Sequence, residues 1–578
     1  MNTYYIGLAT TFHDPALAVV NSDGEIVFAE ATERYYQNKR AVGCPADDTE
    51  WARHVISKYT DPDANFVVAG SWNTRMHRFL KRIDFLGLAN PFKIHRHDQL
   101  APMGFATKHE GLWICIMQLT AFNRSGAGFG LTLAEHFNNR KVRFTNFQHH
   151  LTHAAAACHM SPFESGACMV VDSSGEKGSI SYFEYKAGKL RQIRQLKGPA
   201  SLGALYSAVT NYCGFQAAKG EEWKVMGLAP YGKPIPEVYA AFKELLKIEG
   251  LDFKYTGKAN FQKLMRHLES ARRPSDRSAR DAADLACTIQ TIYEESMTEL
   301  LQNFYGEGLS ENLILSGGCG LNSAYNGKII KQTPFKQVYV PCAPGDDGNA
   351  VGAALLAYRE DHPDAAPRTQ VHHPYLGSSL SPRGLEKIKN FGRFQKIRHI
   401  PDTIHQEAAA LLAEGKLLGW AQGRAEFGPR ALGNRSILAD PRPAGMKDMI
   451  NMKVKFREEF RPFAPAILHE FGPDWFEDYQ ESPYMERTLR FKDEMKDKVP
   501  AVVHANQTGR LQTVKREWNE PYYRLIKAFY DLTGIPIVLN TSFNVMGKPI
   551  IHSVEDALGV FLTTGLDALV LEGYLIEK

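Results

Sequence analysis

Short apolar runs separated by polar, glycine-bearing turns open the chain. Residues 4–9 (YYIGLA) read as a buried strand, and ALAVVN and IVFAEA read as two more, joined by the turns TTFHD and SDGE. Asp23-Gly24 predicts a tight hairpin, because glycine accepts the positive φ that such turns need. The same grammar returns over 168–195: CMVVD, SISYFEY and LRQIRQL are strands, with SSGEKG and KAGK as the turns.

Residues 311–324 (ENLILSGGCGLNSA) add a buried strand, the pair Gly317-Gly318 and a helix start. The strand QVYVP then leads into APGDDGNAVGAALLAY, a glycine loop and a small-residue helix. Bare backbone N–H groups at such turns suit an anion or a nucleotide, although an ordinary strand–turn–helix connection has the same pattern. With the repeat, these segments predict an α/β protein whose N-terminal part is a duplicated ribonuclease-H-like, actin-type fold. Residues 361–382 are rich in Pro, His and Ser and break the periodicity. Beyond them a helix (TIHQEAAALLAEG), a strand (KLLGWAQ), a long basic stretch and a late strand (IPIVLN) predict a second α/β domain. The expected division is 1–365 and 366–578.

Composition narrows the classes. Hydrophobic residues make up 44% and charged residues 23% of 578, which is ordinary for a globular protein. The net charge of +4 and the lack of a long Lys/Arg block argue against a dedicated nucleic-acid binder. No apolar run reaches the roughly 18–20 residues of a membrane span, and the start lacks the features of a signal peptide. The eight cysteines are scattered, with no CxxC pair. A cytoplasmic protein with reduced thiols is the expectation.

Two constellations carry candidate chemistry. In QHHLTHAAAACH the alanine run predicts a helix, which puts His149 and His153 on one face and His150 about 100° away. Two imidazoles at this spacing can share a metal ion, but the base of an HExxH motif is missing. Asp172, ending the strand of the second repeat, and Asp346, in the GDDG loop, face the same cleft if the fold is right. Such a mixed N/O set suits iron, manganese or zinc rather than calcium. Exposed or capping histidines are the plainer alternative. The second constellation is GRAEFGPRALGNRSILADPR (423–442), followed by segments 451–468, 508–514 and 539–544. Here Arg430, Arg435, Lys455, Arg457, Arg461 and Arg510 fall among glycines, prolines and apolar residues. Buried cations need anionic partners, either Glu426, Glu458 and Glu459 or a bound phosphate or carboxylate. Asn540 and Ser542 follow a buried strand and could donate to the same anion.

These motifs resemble the NodU/CmcH-type O-carbamoyltransferases over nearly the whole chain. The resemblance rests on HHLTHAAAA, VVDSSGE, KGEEWKVMGLAPYG (219–232), ILSGGCGLN, PGDDGNAVGAA, GRAEFGPRALGNRSILADPR, KFREEFRPFAPAIL and LNTSFN. The N-terminal part of that family is similar to tRNA threonylcarbamoyl transferases, and the C-terminal part to YrdC. The resemblance implies a two-step reaction. The YrdC-like domain would make carbamoyl-adenylate from carbamoyl phosphate and ATP with its Mg, and the actin-like domain would pass the carbamoyl group to a hydroxyl of a small-molecule natural product.

By the same resemblance Arg430, Lys455, Arg461, Arg510, Asn540 and Ser542 match the carbamoyl phosphate site. His149, His153, Asp172 and Asp346 match metal ligands, with iron(II) the expected ion, Mn or Zn as alternatives, and Asp347 a competing ligand. Gly317, Gly318 and Asn322 match the nucleotide loop, with Lys224 and Gly227 near it. His13 matches a histidine near the acceptor and is the candidate base. Residues 70–145 match the family least and are expected to shape the acceptor pocket. The resemblance leaves a homodimer open and implies neither nucleic acid nor membrane as partner. The alternatives are an actin-type ATPase or kinase with a regulatory C-terminal domain, which leaves the arginines unexplained, and a tRNA-modifying fusion.

Overall fold

The opening apolar runs form an antiparallel meander of β1 (Thr3–Ala9), β2 (Ala16–Val20) and β3 (Ile26–Ala31). β4 (Asn65–Gly70) pairs with β1 in parallel, and β5 (Val142–Asn146) pairs with β4 in parallel, giving the order β3-β2-β1-β4-β5. The meander recurs as β6 (Ser165–Val171), β7 (Ile180–Lys186) and β8 (Lys189–Gln195), again antiparallel. The strand Asn312–Ser316 lies beside β6 as β4 lies beside β1. The repeat read in the sequence is thus a duplicated sheet topology, and the N-terminal part is actin-like. This computed structural model describes residues 2–72, 126, 128, 130, 142–367, 372–392 and 394–578. Most of the segment 70–145 expected at the acceptor pocket lies outside the described residues.

The chain divides into two compact units that interleave along the sequence. The first holds Met1–Ser201, Ile314–Cys319 and Ala343–Val371, and the second Leu202–Leu313, Gly320–Cys342 and His372–Lys578. In the first unit β2 is buried throughout, and β1 and β6 from their second residue on. Two helices of small residues, His149–Met160 and Asn349–Asp361, pack there backbone to backbone. A Cβ at Gly352 would stand 1.9 Å from the Thr152 carbonyl oxygen, so only glycine permits this approach.

The second unit contains a nine-stranded sheet. Its central strands run, in spatial order, Leu418–Ala421, Arg435–Ala439, Ile537–Ser542, Ala464–Leu468 and Thr508–Val514. Side chains alternate between two cores as the strand period demands. Ile437, Ile467 and Leu539 face one core with Phe561 of the helix Val554–Thr563. Leu438, Leu468 and Val538 face the other with Leu412 and Phe529, from the helices Ile404–Ala413 and Glu520–Thr533. The C-terminal half is therefore a layered α/β domain, as its sequence grammar predicts. Among the described residues the seven cysteines are free, and no helix is long and apolar enough to cross a membrane.

Candidate functional site

The helix His149–Met160 follows from the alanine run, and eleven of its twelve residues are buried. Its first turn projects His149 and His153 toward Asp172, directly after β6, and Asp346, which begins the turn before Asn349–Asp361. His149 Nε2 lies 3.1 Å from Asp172 Oδ2, 3.4 Å from Asp346 Oδ1 and 3.2 Å from His153 Nε2. His153 Nε2 lies 3.4 Å from Asp172 Oδ2 and 3.3 Å from Asp346 Oδ1. All four ligand atoms fall within 4.8 Å of one another. Donors about 2.0–2.2 Å from one ion sit about 3.0–3.6 Å apart, so this set fits a single divalent cation.

Without an ion the four groups neutralise one another. Burial opposes the charged form of His149, but Asp346 and Asp172 outweigh it and push its pKa up to about 10. His153 moves up for the same reason. Burial favours the neutral acids, yet the imidazoles hold Asp172 and Asp346 below the usual carboxylate range. His150 points away, with Nδ1 2.7 Å from Ser181 Oγ, and burial drops its pKa to about 3. Asp347 stays outside the set; burial, then Asp14 and Glu33, push its pKa up to about 7. His13 Nδ1 stands 3.5 Å from Asp346 Oδ2 and 2.9 Å from Asp14 Oδ2.

The loop residues expected to hold a nucleotide fall in both units. Gly317, at φ +90°, lets the loop meet β6, since a Cβ would stand 2.2 Å from the Val171 carbonyl oxygen. Gly318 lies against Asp172, 3.0 Å from Oδ1 by the same measure. Asn322, in the second unit, accepts from Tyr325 N–H and pairs its amide with Gln290. Lys224 Nζ is 2.8 Å from Glu221 and 2.9 Å from Glu458. Gly227 lines a cavity in the second unit with Met226, Tyr231, Lys447, His504 and Arg510.

Beside that cavity the cations gather. Burial lowers Lys455, Arg457 and Arg510 well below their ordinary ranges, and neighbouring guanidiniums lower them further. Arg430, Arg457 and Arg461 all act on Arg510, and burial alone brings Arg430 down to about 10. Lys455 Nζ donates to the Ser542 carbonyl oxygen and, at 2.8 Å, to Asn544 Oδ1. Asn540 Nδ2 donates to the Ala431 carbonyl oxygen at 3.1 Å and to Gln512 Oε1 at 2.8 Å, fixing the loop next to Arg430. Glu458 bonds Lys224 and Arg461, which after the opposing effect of burial hold it at about 2. Glu426 accepts from the backbone N–H groups of Leu432, Asn434 and Arg435. Glu459 is exposed. Arg435, fully buried, donates to four backbone carbonyls and is structural. Arg457 Nη2, Arg461 Nε and Arg510 Nε are buried donor atoms with no hydrogen-bond partner among the described residues. This arrangement can hold an anion with several oxygens.

The model of the carbamoyltransferase N-terminus matches residues 4–355, and that of the carbamoyltransferase C-terminus matches residues 409–578. The chain belongs to the carbamoyltransferase family. This carbamoyltransferase is 37% identical to the nodulation protein NolO of Bradyrhizobium diazoefficiens over 74% of its own length and 78% of the relative's. It is 29% identical to nodulation protein U of Rhizobium fredii over 94% and 90% of the two chains. An uncharacterized protein of Synechocystis sp. is 33% identical over 100% and 97%.

Several residues of the carbamoyltransferase's sites escaped the sequence analysis. The Asn349 amide lies 3.3 Å from His149 Nδ1 and 3.1 Å from His153 Nε2, and its other end meets Thr152 Oγ1 at 3.0 Å. Glu176 receives the His149 N–H at 2.9 Å, placing a carboxylate at the positive end of that helix. Trp72 stacks on His149 at 4.3 Å. Asn349 and Glu176 stand in motifs that were in view, GDDGN and SSGEK, but polar type alone did not separate them from loop residues.

Proposed function

We propose that this enzyme is an ATP-dependent O-carbamoyltransferase working in two steps at two sites. The observation that carries the reading is the crowding of buried cations in the second unit: burial and then Arg430, Arg457 and Arg461 lower Arg510, burial and then Arg457 and Arg461 lower Lys455, and Glu458 bonds Arg461. Such a group is stabilised by a bound phosphoanhydride or acyl phosphate. Carbamoyl phosphate is cleaved by water to carbamate and inorganic phosphate. A carbamate oxygen then bonds to the α-phosphorus of ATP while the bond to pyrophosphate breaks, leaving carbamoyl-adenylate. Arg430, Lys455, Arg461 and Arg510 take the phosphate oxygens, and Asn540 and Ser542 shape the pocket around the carbamoyl group. The adenylate-forming step belongs to the second compact unit and the transfer step to the first.

In the second step an acceptor hydroxyl oxygen bonds to the carbamoyl carbon and the bond to AMP breaks. His13, beside Asp346, takes the hydroxyl proton. Gly317 and Gly318 present backbone to the nucleotide next to Asp172. A divalent ion, iron(II) by family resemblance, held by His149, His153, Asp172 and Asp346 would supply positive charge that offsets the charge developing during transfer. The acceptor is a small-molecule natural product, and the reaction belongs to the cytoplasm, with neither nucleic acid nor membrane as partner. Product analysis tests the reading: the full chain with carbamoyl phosphate, ATP and Mg yields AMP and pyrophosphate in equal amounts. ADP as the nucleotide product would identify a kinase or ATPase instead.

A further inference from the structure

We infer that Trp223 is a positioning residue of the anion site, holding the Arg461 guanidinium so that its open edge meets a phosphate group; the inference rests on the anion reading above. The Arg461 guanidinium carbon lies 4.0 Å from the centre of the Trp223 ring. Glu458 Oε2 takes Nη1 at 3.0 Å, while Nε is buried without a partner among the described residues. Arginine binds two oxygens at once only if its planar fork has the right tilt. The ring against the guanidinium and a carboxylate at one corner fix that tilt and leave Nε unbonded among the described residues.

The choice of an aromatic support has a chemical reason. A second carboxylate would hold the guanidinium equally well, but it would occupy the donor edge and cancel the charge an anion needs. The face of an indole attracts a cation and does neither. The same device extends away from the site. Lys224, which holds Glu458, lies 5.9 Å from the Trp223 ring and 5.2 Å from the Phe215 ring, and Arg273 lies 5.7 Å from Phe215. Cations and rings alternate, so like charges are spaced by aromatic faces. Trp223 and Lys224 belong to the N-terminal family region yet to the same compact unit as Arg461. Residues 366–578 therefore do not carry the whole anion site.

Calorimetric titration of inorganic phosphate and of carbamoyl phosphate into the full chain tests this. Trp223→Leu is expected to weaken binding about tenfold, and Trp223→Phe, which keeps a ring face, to stay within about threefold. In pyrophosphate release the Leu variant raises KM for carbamoyl phosphate more than it lowers kcat. Arg461→Ala loses at least as much affinity, and Trp223→Leu adds nothing in that background. If Arg461→Ala binds phosphate like the parent, the anion reading itself fails. If Arg461→Ala loses binding while Trp223→Leu does not, or if the two losses add, Trp223 has no positioning role and the anion reading stands. Should the Leu variant fold poorly, Trp223→Met, which keeps bulk without a ring face, takes its place with the same expected loss of about tenfold.

Discussion

In the first unit two imidazoles face two carboxylates, and each pair moves the other's pKa toward its charged form. In the second unit burial lowers Arg430, Lys455, Arg457, Arg461 and Arg510, neighbouring guanidiniums lower Lys455, Arg457 and Arg510 further, and Glu458 bonds Arg461. Both clusters are buried, so both would be costly if left uncompensated. The first is compensated by protons, which a metal ion can displace. The second is compensated only in part, which suits a bound anion. The difference teaches how to distinguish the sites by experiment: one responds to pH through its protons, the other to deletion of single charges.

The largest effect is expected at Arg510, which three other guanidiniums repel. Arg510→Ala should lower carbamoyl phosphate-dependent pyrophosphate release by about a hundredfold or more, through loss of a charge-assisted partner. The ligand-free variant should unfold at the same temperature as the parent or a higher one, because a repelled cation has gone. A sharp fall in thermal stability with activity retained would make Arg510 a core ion-pair residue and dissolve the contrast.

A smaller, graded effect is expected from pH at the histidine cluster. Between about pH 6 and pH 8 the raised His149 imidazole carries a proton that an entering ion must release. Metal affinity should therefore rise with pH, about tenfold per pH unit for each proton displaced. Equilibrium titration with a divalent ion at several pH values measures the slope. A flat profile would contradict proton compensation of the cluster.

Local pattern made the first cluster legible and only part of the second. The i, i+4 histidines on an alanine-rich helix and the aspartates at equivalent strand and loop ends follow from helix and strand periods. Asn349, Glu176 and Trp72 reach His149 only through tertiary packing, here the close approach at Gly352, which no local period reveals. In GPRALGNR the sequence offers Arg430 and Arg435 on equal terms. Their hydrogen bonds separate them: Arg435 spends its donors on four carbonyls, while Arg430 adds to the field at Arg510. The motif 219–232 was legible as a motif, but its place beside Glu458 and Arg461 depends on the packing of the second unit.

If the two clusters serve two steps of one reaction, His153→Ala uncouples those steps. With carbamoyl phosphate, ATP and an acceptor supplied, metal content, pyrophosphate release and acceptor carbamoylation are measured on the same preparation. The account predicts loss of the bound ion and of carbamoylation, with pyrophosphate release preserved. Full metal occupancy in the variant, or loss of pyrophosphate release in step with carbamoylation, would contradict it.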